Sequence, residues 1–216
     1  MSFLRWLTSV QAPSSKPVYA IIDTETTGLS PARDRIIELG VVTTDDSFRE
    51  ISRFSTLIKP GRKKITNSQI HGITDEMVAN APSFSEVCTA FAKRIDGLHL
   101  LAHNAKYDSK MLLAEFERAG KELEGDLYLP FIDTIQIIKQ LTKGPYSLES
   151  LAKRNGIRNS RAHAAVDDAA TTAAVLRALT RTRARVISKQ IRAQGHPFDA
   201  SSIYEWNLPE AELMPR

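Results

Sequence analysis

The chain has 216 residues, 42% of them hydrophobic and 25% charged, which suits one well-cored domain and excludes a repeat array or a low-complexity segment. No apolar run approaches the ~20 residues needed to span a bilayer, and a single cysteine, Cys88, excludes an intrachain disulfide framework and a cysteine-based zinc site. The net charge of +4 is modest, but residues 169–197 contain no acid while holding Arg177, Arg181, Arg183, Arg185, Lys189 and Arg192, a distribution that suits either a polyanion or a solvated basic helix.

Phe3, Leu4, Trp6, Leu7 and Val10 make the start of the chain apolar, without the charge and length of a secretory signal, so a cytoplasmic protein is expected. Residues 1–16 read as an extension ending in a Ser-Ser-Lys-Pro linker. Residues 18–23 then form a short β-rich run, and residues 35–43 and 53–59 two further strands close enough in sequence to be antiparallel neighbours. A polar loop over 60–72 precedes a short helix opening at Thr74. Ser83-x-x-Glu86 is a capping box for a helix through Ile95. An apolar strand at 98–102, a helix at 107–119 stopped by Gly120, and a strand at 129–133 follow. Helices are expected after that strand, at 147–155, and, most clearly, over the alanine-rich 165–179. Val186, Ile187 and Ile191 suggest one more amphipathic turn or two. This order predicts an α/β fold, a mixed five-stranded sheet flanked by helices, over residues 17–180. Residues 181–216, basic then apolar (Tyr204, Trp206, Leu208), are left as a C-terminal tail suited to binding a partner.

Acidic residues gather at three places. Asp23 and Glu25 lie two apart at the end of the first strand, so both carboxylates share a face, and their mutual repulsion calls for positive charge nearby. Gly28 then permits a tight turn. Asp108 follows the strand at 98–102 and opens its helix, where it would approach the first pair if the two strands are parallel, or merely favour the helix dipole. His163 precedes Asp167 and Asp168 at the start of the alanine-rich helix, and spacing leaves the two aspartates as competing candidates. Four carboxylates and one imidazole suit hard divalent cations, and the charge of two such ions balances four carboxylates. Two ions ~3.5–4 Å apart serve in-line displacement at phosphorus. An imidazole, titrating at about 6.5, suits proton abstraction from water.

Asp-Thr-Glu-Thr-Thr-Gly at 23–28, Ile-His-Gly-Ile at 70–73, His-Asn-Ala-x-Tyr-Asp at 103–108 and His-x-x-x-x-Asp at 163–168 together resemble the DEDDh 3′–5′ exonucleases, among them the epsilon-type proofreading subunits of bacterial DNA polymerase III. The resemblance covers residues 18–180 and implies a ribonuclease-H-like fold. It selects Asp168 over Asp167. It implies two divalent ions, Mg²⁺ or Mn²⁺, with Asp23 on both, Glu25 and Asp168 on the water-activating ion, Asp108 on the second, and His163 as general base. It places Thr24, Thr26, Gly28 and Leu29 around the terminal nucleotide, with Ile70, His71 and Tyr107 lining the same pocket. Tyr107 stands where the family more often has Phe. His103 is expected to be structural, and Asp133 to cap the next helix.

The implied activity is hydrolysis of DNA from a free 3′ end, releasing nucleoside 5′-monophosphates in proofreading or repair, with a DNA polymerase as partner and no membrane. Trimming of RNA 3′ ends, and an inactive module binding nucleic acid or a polymerase, are the alternatives. The inactive module would lack a ligand or the base, and all five positions are filled.

Overall fold

The computed structural model describes residues 16–121, 129–159, 161–181 and 184–202. The apolar residues noted near both ends, Phe3 to Val10 and Tyr204 to Leu208, lie outside these. Strands β1 (Tyr19–Thr26), β2 (Ile36–Thr44), β3 (Glu50–Leu57), β4 (His99–Ala102) and β5 (Phe131–Asp133) form a five-stranded sheet in the order β3-β2-β1-β4-β5. The first three strands are antiparallel neighbours, joined by a loop over 27–35 and a tighter turn over 45–49, whereas β1–β4 and β4–β5 are parallel. Parallel neighbours need crossovers, and these are the helices α3 (Phe84–Ile95) and α4 (Ala105–Arg118).

Both faces of the sheet are covered, which explains why β1 opens as a continuous apolar run. Ala20 and Ile22 join Leu39, Val41, Leu100 and Ala102 under α3 and α4. Tyr19 and Ile21 join Val42 and Leu101 under the other layer, α5 (Thr134–Leu141), α6 (Leu148–Arg154), α7 (Ala165–Thr180) and α8 (Ala184–Gln194). Local signals end the helices as expected. Ser83 and Glu86 form the capping box of α3, Asp133 Oδ1 accepts from Ile135 N–H at 2.9 Å to cap α5, and Ser147 caps α6.

The structure departs from the sequence expectation in four places. β1 does not stop at Asp23. It stays paired with β2 through Glu25↔Glu38 before a bulge, so both acidic residues lie within the strand. β3 begins at Glu50 because Asp45 closes a tight turn, accepting from Ser47 and Arg49 N–H at 2.9 Å each while Phe48 takes a left-handed φ of 58°. A one-turn helix, α1 (Ser68–His71), stands in the polar loop ahead of α2 (Asp75–Val78). Finally, the described residues after 180 pack on the sheet. Ile187 and Ile191 of α8 are buried in the α7-side core, and Phe198 exchanges backbone bonds of 2.8 Å with Gly97 and Leu98.

Helix α7 lies close over β2 because Gly40 has no side chain. A Cβ there would sit 2.3 Å from the Ala165 carbonyl carbon and the Val166 nitrogen. The C-terminal end of α4 is pinned by Glu115, which is buried and paired with Arg35 at 2.7 Å and Arg118 at 3.2 Å.

Candidate active site

Alternation along β1 builds the centre. Odd-numbered residues face the α7 layer and even-numbered ones the α4 layer, so Asp23 and Glu25 turn towards α7 while Thr24 and Thr26 turn towards α4. Each threonine reaches the first turn of α4. Thr24 Oγ1 donates to Asp108 Oδ1 at 2.8 Å, and Thr26 Oγ1 lies 2.5 Å from the Tyr107 hydroxyl. From the other layer, one ligand atom each of Glu25, His163 and Asp168 lie within 4.8 Å of one another. The first turns of both helices point their positive dipole ends towards this acidic cluster.

The carboxylates hold protons more tightly than usual. Burial, and then the charges of Asp108, Asp168, Glu25 and Glu38, hold Asp23 well above the carboxylate range. Burial, with Asp168, Glu38 and Asp108, pushes Glu25 up to about 8. Asp108 is raised to about 7 by burial, against the lowering hydrogen bond from Thr24. The leading influences on Asp23 and Glu25 all raise them, and none of these, among the described residues, is a donor or a cation. An oxygen-rich donor set with one imidazole and uncompensated negative charge is chemically suited to a hard divalent cation.

The two candidate aspartates of α7 part company. Asp168 accepts from Asn159 Nδ2 at 2.5 Å and from the His163 backbone N–H at 3.0 Å, leaving further lone pairs beside Glu25. Asp167 turns away to Arg161, 2.6 Å distant, and to Arg53, 3.6 Å distant. His163 is exposed and takes a left-handed φ of 65°, a conformation uncommon for a residue with a side chain. Backbone strain of this kind gathers where geometry serves a site.

The turn beyond β1 is tied down from three sides. Gly28 O lies 3.0 Å from the Tyr107 hydroxyl and 2.9 Å from Thr26 Oγ1, accepting from one of them while the other donates to its fellow hydroxyl. A Cβ on Gly28 would come within 2.6 Å of the Asp34 carboxylate. That carboxylate, despite its burial, is held below its usual pKa by Lys63, the Ser30 N–H and Thr27. Asn67 Nδ2 donates to Thr26 O at 2.9 Å, bringing α1 alongside. Leu29 and Ile70 are left 84% and 54% exposed, unusually so for apolar residues beside a site rather than in a core.

Two histidines are assigned by their partners. His103 Nε2 meets the Tyr146 carbonyl at 2.8 Å, so Nε2 carries the proton and Nδ1 accepts from Thr134 at 3.1 Å. Its role is structural, as expected. His71 Nδ1 accepts from Ile73 N–H at 3.0 Å, so the neutral ring carries its proton on Nε2, which is buried and has no partner among the described residues. Burial lowers the His71 pKa, and its electrostatic neighbours are Glu38 and His163.

Three contributions were not foreseen: Glu38, directly opposite Glu25 in the sheet; Asn159, which holds Asp168; and the Thr24 hydroxyl, which serves Asp108. The strand register alone would have exposed the first.

A family model described as an exonuclease matches residues 20–176. The DNA polymerase III subunit epsilon of Treponema pallidum is 40% identical over 156 residues, covering 70% of this chain and 71% of that protein. The PolC-type DNA polymerase III of Thermotoga petrophila is 38% identical over 73% of this chain, which spans only 11% of that polymerase. Among solved structures, exonuclease X in complex with 5′ overhanging duplex DNA superposes with a TM-score of 0.60 at 27% identity, covering 81% of this chain and 99% of that one.

Proposed function

Because this chain belongs to the DEDDh exonuclease family, we propose that it hydrolyses DNA from the 3′ end and releases nucleoside 5′-monophosphates. Proofreading or repair alongside a DNA polymerase is the setting that its epsilon and PolC-type relatives favour. The observation that carries the reading is the convergence of Glu25, His163 and Asp168 from a strand and a helix start, beside Asp23 and an Asp108 held by Thr24.

The family is divalent-metal dependent, and the donor set fits Mg²⁺ or Mn²⁺ better than zinc. Asp23, Glu25 and Asp168 would hold one ion, and Asp23 with Asp108 a second. Bound there, the ions would supply Lewis-acid activation of water and neutralise the charge of the scissile phosphate. His163 takes the proton of the attacking water as the water oxygen bonds to phosphorus and the bond from phosphorus to the 3′ oxygen breaks. That oxygen leaves as the hydroxyl of the shortened strand, protonated from solvent. The His71 Nε2–H, without a partner among the described residues, donates to the bound nucleotide. Leu29, Ile70 and the Tyr107 ring flank the terminal base without reading its identity. Thr24, Thr26 and Gly28 contribute backbone, since both threonine hydroxyls are already engaged.

The test is a product assay on 5′- and 3′-labelled DNA and RNA strands with Mg²⁺ or Mn²⁺. Stepwise shortening of DNA from the 3′ end, abolished by chelator and by Glu25→Ala, is expected. Digestion of RNA with DNA spared would move the chain to RNA trimming, and no digestion of either would refute the enzyme reading.

A further inference from the structure

Helix α7 begins without a capping side chain of its own. Its N-cap residue is Ala164, whose side chain can accept nothing, yet the Ala165 N–H at the head of the helix is satisfied. The acceptor comes from another element. Glu38 Oε2, on β2, accepts from Ala165 N–H at 3.1 Å, while its other oxygen accepts from Ser55 Oγ on β3 at 2.8 Å. Glu38 is also the residue directly opposite Glu25 in the antiparallel pairing, and so stands beside the cluster.

We propose that Glu38 is a positioning residue, a cap lent from β2 that fixes where α7 starts and thereby where His163 and Asp168 stand relative to Glu25. This rests on the reading of those two residues as base and ligand. The distinction from Glu25 is geometric. Glu25 faces the cluster with its ligand atom, whereas both oxygens of Glu38 are committed to donors of the fold. Nor is Glu38 among the three residues, Glu25, His163 and Asp168, whose ligand atoms gather.

Two further features bear on the same turn. Gly40, two residues along β2 on the same face, lets the Ala165–Val166 peptide rest against the strand. Arg53 on β3 pairs with Asp167 at 3.6 Å. The first turn of α7 is thus held by the peptide contact at Gly40, the ion pairs of Asp167 with Arg53 and Arg161, the Asn159 bond to Asp168 and the cap from Glu38, which bonds the head of the helix backbone itself. Because the Asp168 carboxylate also accepts from the His163 N–H, base and ligand move together with that end. Retaining a negative charge opposite Glu25 is costly by repulsion, so Glu38 is explained by its two bonds and not by charge.

The conservative variant separates these ideas. Gln at position 38 keeps an oxygen for the Ala165 N–H, and its amide donates to Ser55 Oγ, which accepts as readily as it donates. Ala removes both bonds. Three measurements are made on wild type, Glu38→Ala and Glu38→Gln: amide hydrogen exchange of residues 163–168, Mn²⁺ binding by calorimetry without substrate, and exonuclease kcat and KM on single-stranded DNA. In Glu38→Ala, exchange at Ala165 should be at least 10-fold faster, Mn²⁺ binding 10-fold weaker, and kcat reduced 10-fold or more with KM within 3-fold. In Glu38→Gln, all three should stay within about 3-fold of wild type. Unchanged exchange and Mn²⁺ affinity in Glu38→Ala would overturn the inference, as would a Glu38→Gln variant as damaged as the Ala variant. A wild type that digests nothing refutes the exonuclease reading alone, because the exchange experiment still reports on the cap.

Discussion

Melting the protein in chelator across pH 7 to 9 probes the repulsion among the clustered carboxylates. Glu25 titrates at about 8 in the fold, against 4.5 for an ordinary glutamate. The fold therefore binds that proton more tightly than the unfolded chain does. The resulting stability is fully present below the unfolded value and is lost as pH climbs through about 8. Between pH 7 and 9 the Glu25 carboxyl alone removes about 1.4 kcal/mol, and Asp108, at about 7, about 0.4 kcal/mol more. Glu25 is partly open to solvent, and screening reduces the combined figure to about 1 kcal/mol. Asp23, raised by the same causes, adds in the same direction. For a domain of this size the melting temperature should fall by roughly 2–4 °C. His71, His99 and His103 are lowered by burial and act mainly below pH 6.5, with the opposite sign, which is why the window begins at 7. Glu25→Gln is the reference, since subtracting its melting curve removes the titrating groups that do not sense the Glu25 charge. The variant should melt higher than wild type at pH 9 and at nearly the same temperature at pH 5, where the Glu25 carboxyl is protonated in the fold. Saturating Mg²⁺ should abolish the slope by competing with the protons. A wild-type melting temperature in chelator that parallels Glu25→Gln from pH 7 to 9 would refute the electrostatic account.

Three substitutions test the framework around the site. Gly40→Ala drives a methyl into the Ala165–Val166 peptide, where the clash is with backbone. It should destabilise the fold by about 1–3 kcal/mol in a thermal melt and lower kcat at least 10-fold, because the start of α7 must move. Thr24→Val leaves Asp108 Oδ1 without its 2.8 Å donor, and steady-state kinetics should show kcat down about 10-fold with KM little altered. Tyr107→Phe keeps the ring but loses the bonds to Gly28 and Thr26, a loss of about 1 kcal/mol. It should raise KM several-fold while kcat stays within 2-fold, since the loosened turn carries Leu29 and no ligand.

What the sequence alone reveals depends on the range over which a signal acts. Asp23 and Glu25 were legible because period-two geometry is local, and the Ser83–Glu86 box and the Asp133 cap for the same reason. Their place inside β1 was missed, since polar residues mark a strand end unless a partner strand keeps pairing, as β2 does as far as Glu38. Choosing Asp168 over Asp167 required the family, because adjacent helical residues differ by about 100° and the facing direction is set by how α7 lies on Gly40, far away in sequence. Glu38 was invisible on the same grounds: its importance comes from strand register. The packing of α8 rested on Ile187 and Ile191, one i, i+4 pair, too short a pattern to separate a docked helix from a tail.

The alternation along β1 has a consequence for how the site responds to what enters it. Tyr107 and Asp108 are consecutive residues of α4, each tethered to a threonine on one side of the strand, while Glu25, His163 and Asp168 are assembled from the other. Any tilt of α4 therefore carries the Tyr107 wall of the proposed nucleotide pocket and one carboxylate as a single piece, leaving the other four groups in register. Seating of a strand end against Tyr107 would be transmitted to Asp108 through one turn of helix, so that a badly seated end is felt on one half of the reaction centre only.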